Sequence, residues 1–178
     1  MKWSLFLALL SIAPFAGAQD FKVEFDKNQD LTHYKTFSFG DGGILTQKDH
    51  RVVPDSMLHL WIKAAVTEAL VGKGLKYRKD SSDLVVSYIS ESHEVQNSGR
   101  RGPLALSPGE SPNSTYELHY RIASLVVDLN DARGNKLVWR INATFQGANP
   151  DSERYIDEIV GRGFRKFSIH PRRQKKKK

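Results

Sequence analysis

The sequence predicts an α+β fold, a two-layer sandwich with two helices on one face of a mainly antiparallel sheet of about five strands. Three observations carry this reading. Period-two alternation of apolar and polar residues recurs in several short segments, as half-buried strands require. Two longer segments instead repeat their apolar residues at helical spacing. In chain order the pattern is strand, strand, helix, strand, strand, strand, helix, with no internal repeat.

The first strand places Phe21, Val23 and Phe25 on one side and Lys22, Glu24 and Asp26 on the other. A second covers 34–39, with Phe37 and Phe39 pointing together, and Gly40-Asp41-Gly42-Gly43 is expected to end it as a loop. Pro54-Asp55-Ser56 then opens a helix. Its residues Met57, Leu58, Trp61, Ala64, Ala65, Glu68 and Ala69 share a face, and Gly72 or Gly74 supplies the stop. Residues 83–89 are apolar on both sides, as in a central strand. Residues 91–112 turn to Ser, Gly, Pro, Asn and Arg and are expected to form a long flexible loop. A hairpin follows. Leu125, Val127 and Leu129 alternate in one strand, Leu137, Trp139, Ile141, Ala143 and Phe145 in the next, with turn residues 130–135 between them. Asn149-Pro150-Asp151-Ser152 caps a second helix whose stripe is Ile156, Ile159, Val160, Phe164 and Phe167 and which ends before Pro171.

Residues 1–18 read as an export signal. A charged start at Lys2 is followed by an apolar run too short to span a bilayer, and Ala16-Gly17-Ala18 forms a small-residue cleavage site before Gln19. The expected product is a single domain over 19–170 with a basic tail over 171–178, soluble and periplasmic. Asn113-Ser114-Thr115 and Asn142-Ala143-Thr144 match the glycosylation sequon and leave a eukaryotic secreted origin open. The 178 residues contain no cysteine, which excludes disulfides, thiolate chemistry and a cysteine-borne lipid anchor. No later run is long and apolar enough to cross a membrane.

The formal charge of +7 is unevenly placed. Residues 19–170 carry 20 basic and 20 acidic side chains, whereas the tail holds Arg172, Arg173, Lys175, Lys176, Lys177 and Lys178. The basic pI therefore gives no nucleic-acid surface to the domain, and these six tail residues are the candidate binding site for an anionic surface.

No catalytic motif emerges, and no catalytic, cofactor or metal-binding residue is assigned. Asp26-Lys27-Asn28-Gln29-Asp30 matches the first ligands of a calcium loop, but Leu31 stands where the turn needs Gly and Phe37 where the last ligand should be. It reads as a polar connection between strands. The six histidines lack metal-ligand spacing, and His93-Glu94 has no second histidine after it. Gly72-Lys73-Gly74 and Gly161-Arg162-Gly163 lack a phosphate-loop pattern, and no nucleophile elbow is present. Trp61 and Trp139 read as core residues.

Asp26-Lys27-Asn28, Tyr34-Lys35-Thr36-Phe37, the helix end at 70–75, Asp83-Leu84-Val85-Val86, Val127-Asp128-Leu129 with Asp131-Ala132, and Leu137-Val138-Trp139-Arg140 occur in order along the chain. As a set they resemble domain-of-unknown-function family 4136, found in exported bacterial proteins that are often lipoproteins. The resemblance implies an envelope protein and carries over no catalytic residue. The chain departs from the pattern by lacking the lipid-bearing cysteine, and 167–171 only approximates the expected terminal Phe-Pro-Pro.

The expected function is a non-enzymatic, envelope-associated interaction module. Its partner would be an envelope protein, met by the sheet's polar face or the 91–112 loop, or an anionic membrane surface met by the tail. The alternative is a small-ligand binder or hydrolase with a pocket between the helices and the long loop. No cofactor and no nucleic acid is expected, and the oligomeric state is left open.

Overall fold

The computed structural model describes residues 20–100, 115–147 and 152–170. Six strands form one mixed sheet: β1 (Asp20–Glu24), β2 (Thr36–Ile44), β3 (Lys76–Tyr77), β4 (Leu84–Arg100), β5 (Thr115–Asp131) and β6 (Leu137–Gly147). The helices are α1 (Asp55–Gly72) and α2 (Glu153–Gly163), with a short 3-10 turn at Lys48–His50.

The sheet runs β1-β6-β5-β4-β2-β3. β1–β6, β6–β5 and β5–β4 are antiparallel, but β2 lies parallel to both β4 and β3. The expected sheet of about five mainly antiparallel strands is thus corrected to six strands with parallel pairs. The cause is α1. It carries the chain from the end of β2 back to the start of β4, and a crossover of that kind returns the next strand in the same direction. The two-residue β3, missed in the sequence, continues from α1 through Gly74, whose φ of +93° only glycine adopts easily.

Both helices pack on one face of the sheet. Leu58, Ile62, Val66 and Leu70 of α1 and Ile156, Ile159 and Val160 of α2 meet Leu84, Val86, Leu125, Val127, Leu129, Trp139, Ile141 and Phe145 in one core. The buried side of α1 is Leu58, Ile62, Ala65, Val66 and Leu70; Met57, Ala64 and Glu68 of the predicted face are exposed and Trp61 is half-buried. The predicted stripe of the second helix is buried throughout, although the helix closes at Gly163 and Phe164 and Phe167 follow in the turn beyond it. The opposite sheet face meets water, with Arg140 bonded twice to Asp128 at 2.7 and 2.6 Å and Lys22 paired with Glu24.

Two loops of the sequence reading are strand. Gly40 to Gly43 belongs to β2, where a register shift between Phe39 and Gly42 bends the strand and the Tyr88 ring lies against the bare Gly42 backbone. Of the expected 91–112 loop, Glu91 to Arg100 is the outer half of β4, paired in unbroken register with β5 as far as Arg100 and Thr115; the rest of that segment lies outside the described residues. β2 leaves β4 after Ser90 and β6 leaves β5 after Arg121, so β4 and β5 continue as a two-stranded arm.

Candidate functional site

The segments on which the family resemblance rests converge at the end of the sheet remote from the arm. One carboxylate oxygen of Asp83, just before β4, accepts the backbone N–H groups of Lys35 and Thr36 and the Thr36 hydroxyl, each at 2.9 Å. Asp131, at the end of β5, accepts the N–H groups of Arg133 and Gly134 on one oxygen and the Tyr34 hydroxyl at 3.0 Å on the other. Gln29 Nε2 donates to the same Tyr34 oxygen at 3.3 Å, and the Ala132 N–H donates to the Asp83 carbonyl at 2.9 Å. The result is a lock that ties β2, β4 and β5 to the 26–34 connection.

Its electrostatics follow from these bonds. For Asp83, burial raises the pKa, but the Lys35 and Thr36 donors outweigh it and hold the carboxyl below its ordinary value. Asp131 is lowered too, chiefly by the Gly134 N–H. Tyr34 is pushed up to about 12 by burial and by its bond to Asp131. Both carboxylates are therefore stabilised as anions and the phenol as a neutral donor, which is the chemistry of a structural fastening.

Beside the lock, Asp26 to Thr32 wall a cleft of about 410 Å³ that is completed by Phe25, Trp139, Lys166, Ser168 and His170. Its floor is aromatic: Phe25 stacks on Trp139 at 4.2 Å between centroids, and Phe167 meets the same indole edge-on. Trp139 is core, as its strand position predicts, at 1% exposure, and its Nε1 donates to the Gly163 carbonyl at 3.3 Å. The calcium-like segment closes on itself. Asp26 accepts the Asn28 N–H at 2.8 Å and Asp30 the Thr32 N–H at 2.9 Å, so these carboxylates cap turns of their own connection. Among the described residues, no three acidic or histidine side chains form a metal-binding group.

A second cleft of about 280 Å³ adjoins the first through Phe25 and Lys166. Phe21, Val23 and Phe25 of the edge strand β1 and its extension form one wall, and Arg162, Arg165 and Lys166 at the end of α2 form the other. The Arg162 guanidinium sits over the Phe21 ring at 4.2 Å. The six predicted anion-binding residues, from Arg172 to Lys178, lie outside the described residues. Sequence reasoning missed the three basic residues of this cleft, yet a signal for them exists. After Glu158 the chain has no acidic residue, and nine Lys or Arg follow, the first being Arg162. The basic character thus begins inside the fold, before the tail.

Between the helices and the β4–β5 pair, the space lined by Leu58, Ser90, Leu125, Phe145, Ile156 and Ile159 is about 10 Å³, room for one water at most. A cleft of about 220 Å³ lies nearby at the arm, between Leu45, Thr46, Gln47 and His50 and residues Glu91 to Glu94 of β4. The two larger ones described above are at the other end of the sheet. No described helix is long and apolar enough to cross a membrane.

The fold and its sites define a small two-layer α+β domain whose most prominent polar cluster fastens strands together. The chain belongs to the family described as domain of unknown function, DUF4136, whose model matches residues 21–167. No curated protein sequence matches it significantly. Among solved structures it is similar to a DUF4136 family protein from Bacteroides thetaiotaomicron, at 18% identity over 85% of this chain and 98% of that one, with a TM-score of 0.49. It is also similar to the PelC dodecamer from Paraburkholderia phytofirmans, at 10% identity over 82% and 94%, TM-score 0.48. A PDZ domain protein from Parabacteroides distasonis is 12% identical over 81% of this chain and 34% of that chain, TM-score 0.49.

Proposed function

We propose that this chain is an exported, non-enzymatic module of the bacterial envelope that sits on an anionic surface through its C-terminal segment. The observation that carries this reading is the segregation of charge: nine Lys or Arg and no Asp or Glu after Glu158, of which Arg162, Arg165 and Lys166 are placed by the fold beside Phe21 and Val23 of the edge strand β1. A fixed basic cluster continued by a basic tail suits the phosphate groups of anionic lipid or lipopolysaccharide, where each charge near the surface contributes about 1 kcal/mol. Phe21 and Val23, half-buried beside those charges, add an apolar element to the same face. The export signal read at residues 1–18 supports the location.

Co-sedimentation with vesicles is the direct test. Binding to vesicles rich in anionic phospholipid is expected, with little binding to neutral ones, and with loss of binding in high salt as surface charges are screened. Removal of 171–178 should weaken it strongly, and Arg162→Gln with Lys166→Gln should weaken it further. Binding that ignores salt, or that is equal on neutral vesicles, contradicts the reading.

A further inference from the structure

From the edge of the arm that no described strand covers we infer that this chain pairs with a second copy of itself, β5 against β5, in an antiparallel register centred on Leu118. Among the described residues, β6 covers the outer edge of β5 only as far as Arg121, opposite Gly147. From Thr115 to Tyr120 β5 has β4 on one side and no described strand on the other. A two-stranded ribbon is marginal in water by itself, and an open edge of this kind is a template for another strand. The β5 edge has little of the usual protection: residues 115–120 contain no Lys, no Pro and one carboxylate, Glu117, and Tyr116 and Leu118 are 43% and 49% exposed. The outer half of β4, by contrast, carries Glu91, Glu94 and Arg100 in sequence.

What selects a second copy over another partner is the segment's symmetry. Tyr116-Glu117-Leu118-His119-Tyr120 reads the same in both directions except that Glu and His exchange places. A two-fold interface presents one patch to itself, so it requires each residue to complement its mirror position. In antiparallel pairing about Leu118, Tyr116 of one copy faces Tyr120 of the other, Leu118 faces Leu118, and Glu117 faces His119. Directly opposed residues lie on the same face. The two tyrosine pairs and the leucine pair therefore fall together on the open face of the sheet, and the two Glu–His pairs on the other. Within one copy, His119 already lies 3.4 Å from both Glu117 and Glu94, so its ring stands among carboxylates on that face. The five residues of the symmetric segment, Tyr116 to Tyr120, all lie within the stretch that no described strand covers, and the joined sheet would run β4-β5-β5-β4 through two copies.

The test is sedimentation of the full chain, expressed from Met1 and used as the cell delivers it, over a series of concentrations. The wild type is expected to shift from one to two chains in mass as concentration rises, and Leu118→Lys to remain at one. Two charge variants then fix the register. His119→Glu gives an all-acidic edge, and Glu117→Lys with His119→Lys an all-basic one. Each alone should be monomeric, and an equal mixture should recover a dimer containing one of each. A wild type that stays monomeric, a charge variant that dimerises alone as well as wild type, or a mixture that stays monomeric overturns the inference.

Discussion

Asp83 gathers three donors on a single carboxylate oxygen, and that concentration makes it the residue whose loss the fold should feel most at its polar end. Asp83→Ala leaves the Lys35 and Thr36 N–H groups without their acceptor, and a loss of about 2 kcal/mol is expected in urea denaturation. The acid limb of stability has the same origin. Asp83 and Asp131 are both held below the ordinary 3.8, so their contribution is fully present above that value and lost as pH falls through the lower folded values. Tyr34 acts with the opposite sign. Its pKa is raised from 10.0 to about 12, so its contribution holds below pH 10.0 and fades as pH rises toward 12. Urea midpoints measured across pH should show both limbs, and Asp83→Ala should flatten the acid one. The ties between elements were not legible in the sequence beyond the presence of Asp83, Tyr34 and Asp131 in the family pattern, because Thr36 and Asp83 stand 47 residues apart along the chain and Tyr34 and Asp131 97. The Arg133 and Gly134 donors to Asp131, by contrast, belong to the local turn at 130–135.

At the scale of elements, the sequence revealed those whose two faces differ and hid those whose faces do not. Phe21 to Phe25, the strands around Leu125 and Trp139, and the stripe from Ile156 to Phe167 each bury one side, so their periodicity is strong. Beyond Ser92, which is 5% exposed and accepts a hydrogen bond from Arg121, no described residue of β4 is buried, so the Ser, His, Asn and Gly residues of its outer half read as a loop. Gly40 to Gly43 misled for a different reason. Glycine there is a packing device, since any Cβ at Gly42 would run into the Tyr88 ring, which also bonds His59 at 2.7 Å. Gly42→Val should displace that ring and cost about 1–3 kcal/mol in denaturant unfolding, where a mere loop glycine would tolerate the change. The face of α1 was misplaced by about a residue because Trp61 drew the assignment, whereas Ile62, Val66 and Leu70 at i, i+4, i+8 set the buried line.

For the molecule as a whole, fold and charge are arranged end to end. The strand lock and the two clefts occupy one end of the sheet, with the basic residues after Glu158, and the β4–β5 arm projects from the other. Such a layout suits a domain held to a surface at one end and meeting a second chain at the other. The sequence made the basic tail plain and left its continuation into the fold unseen, because Arg162, Arg165 and Lys166 are interleaved with the core residues Gly163, Phe164 and Phe167. Fractionation of the native host cell measures this most directly, following wild type and a variant without 171–178 through spheroplast release, membrane pelleting and a high-salt wash. The wild type should pellet with the envelope and be released by salt, while the truncated form leaves with the periplasmic fluid. Retention of both forms in the cytoplasm, or a wild type that never pellets, would contradict an exported module held by charge.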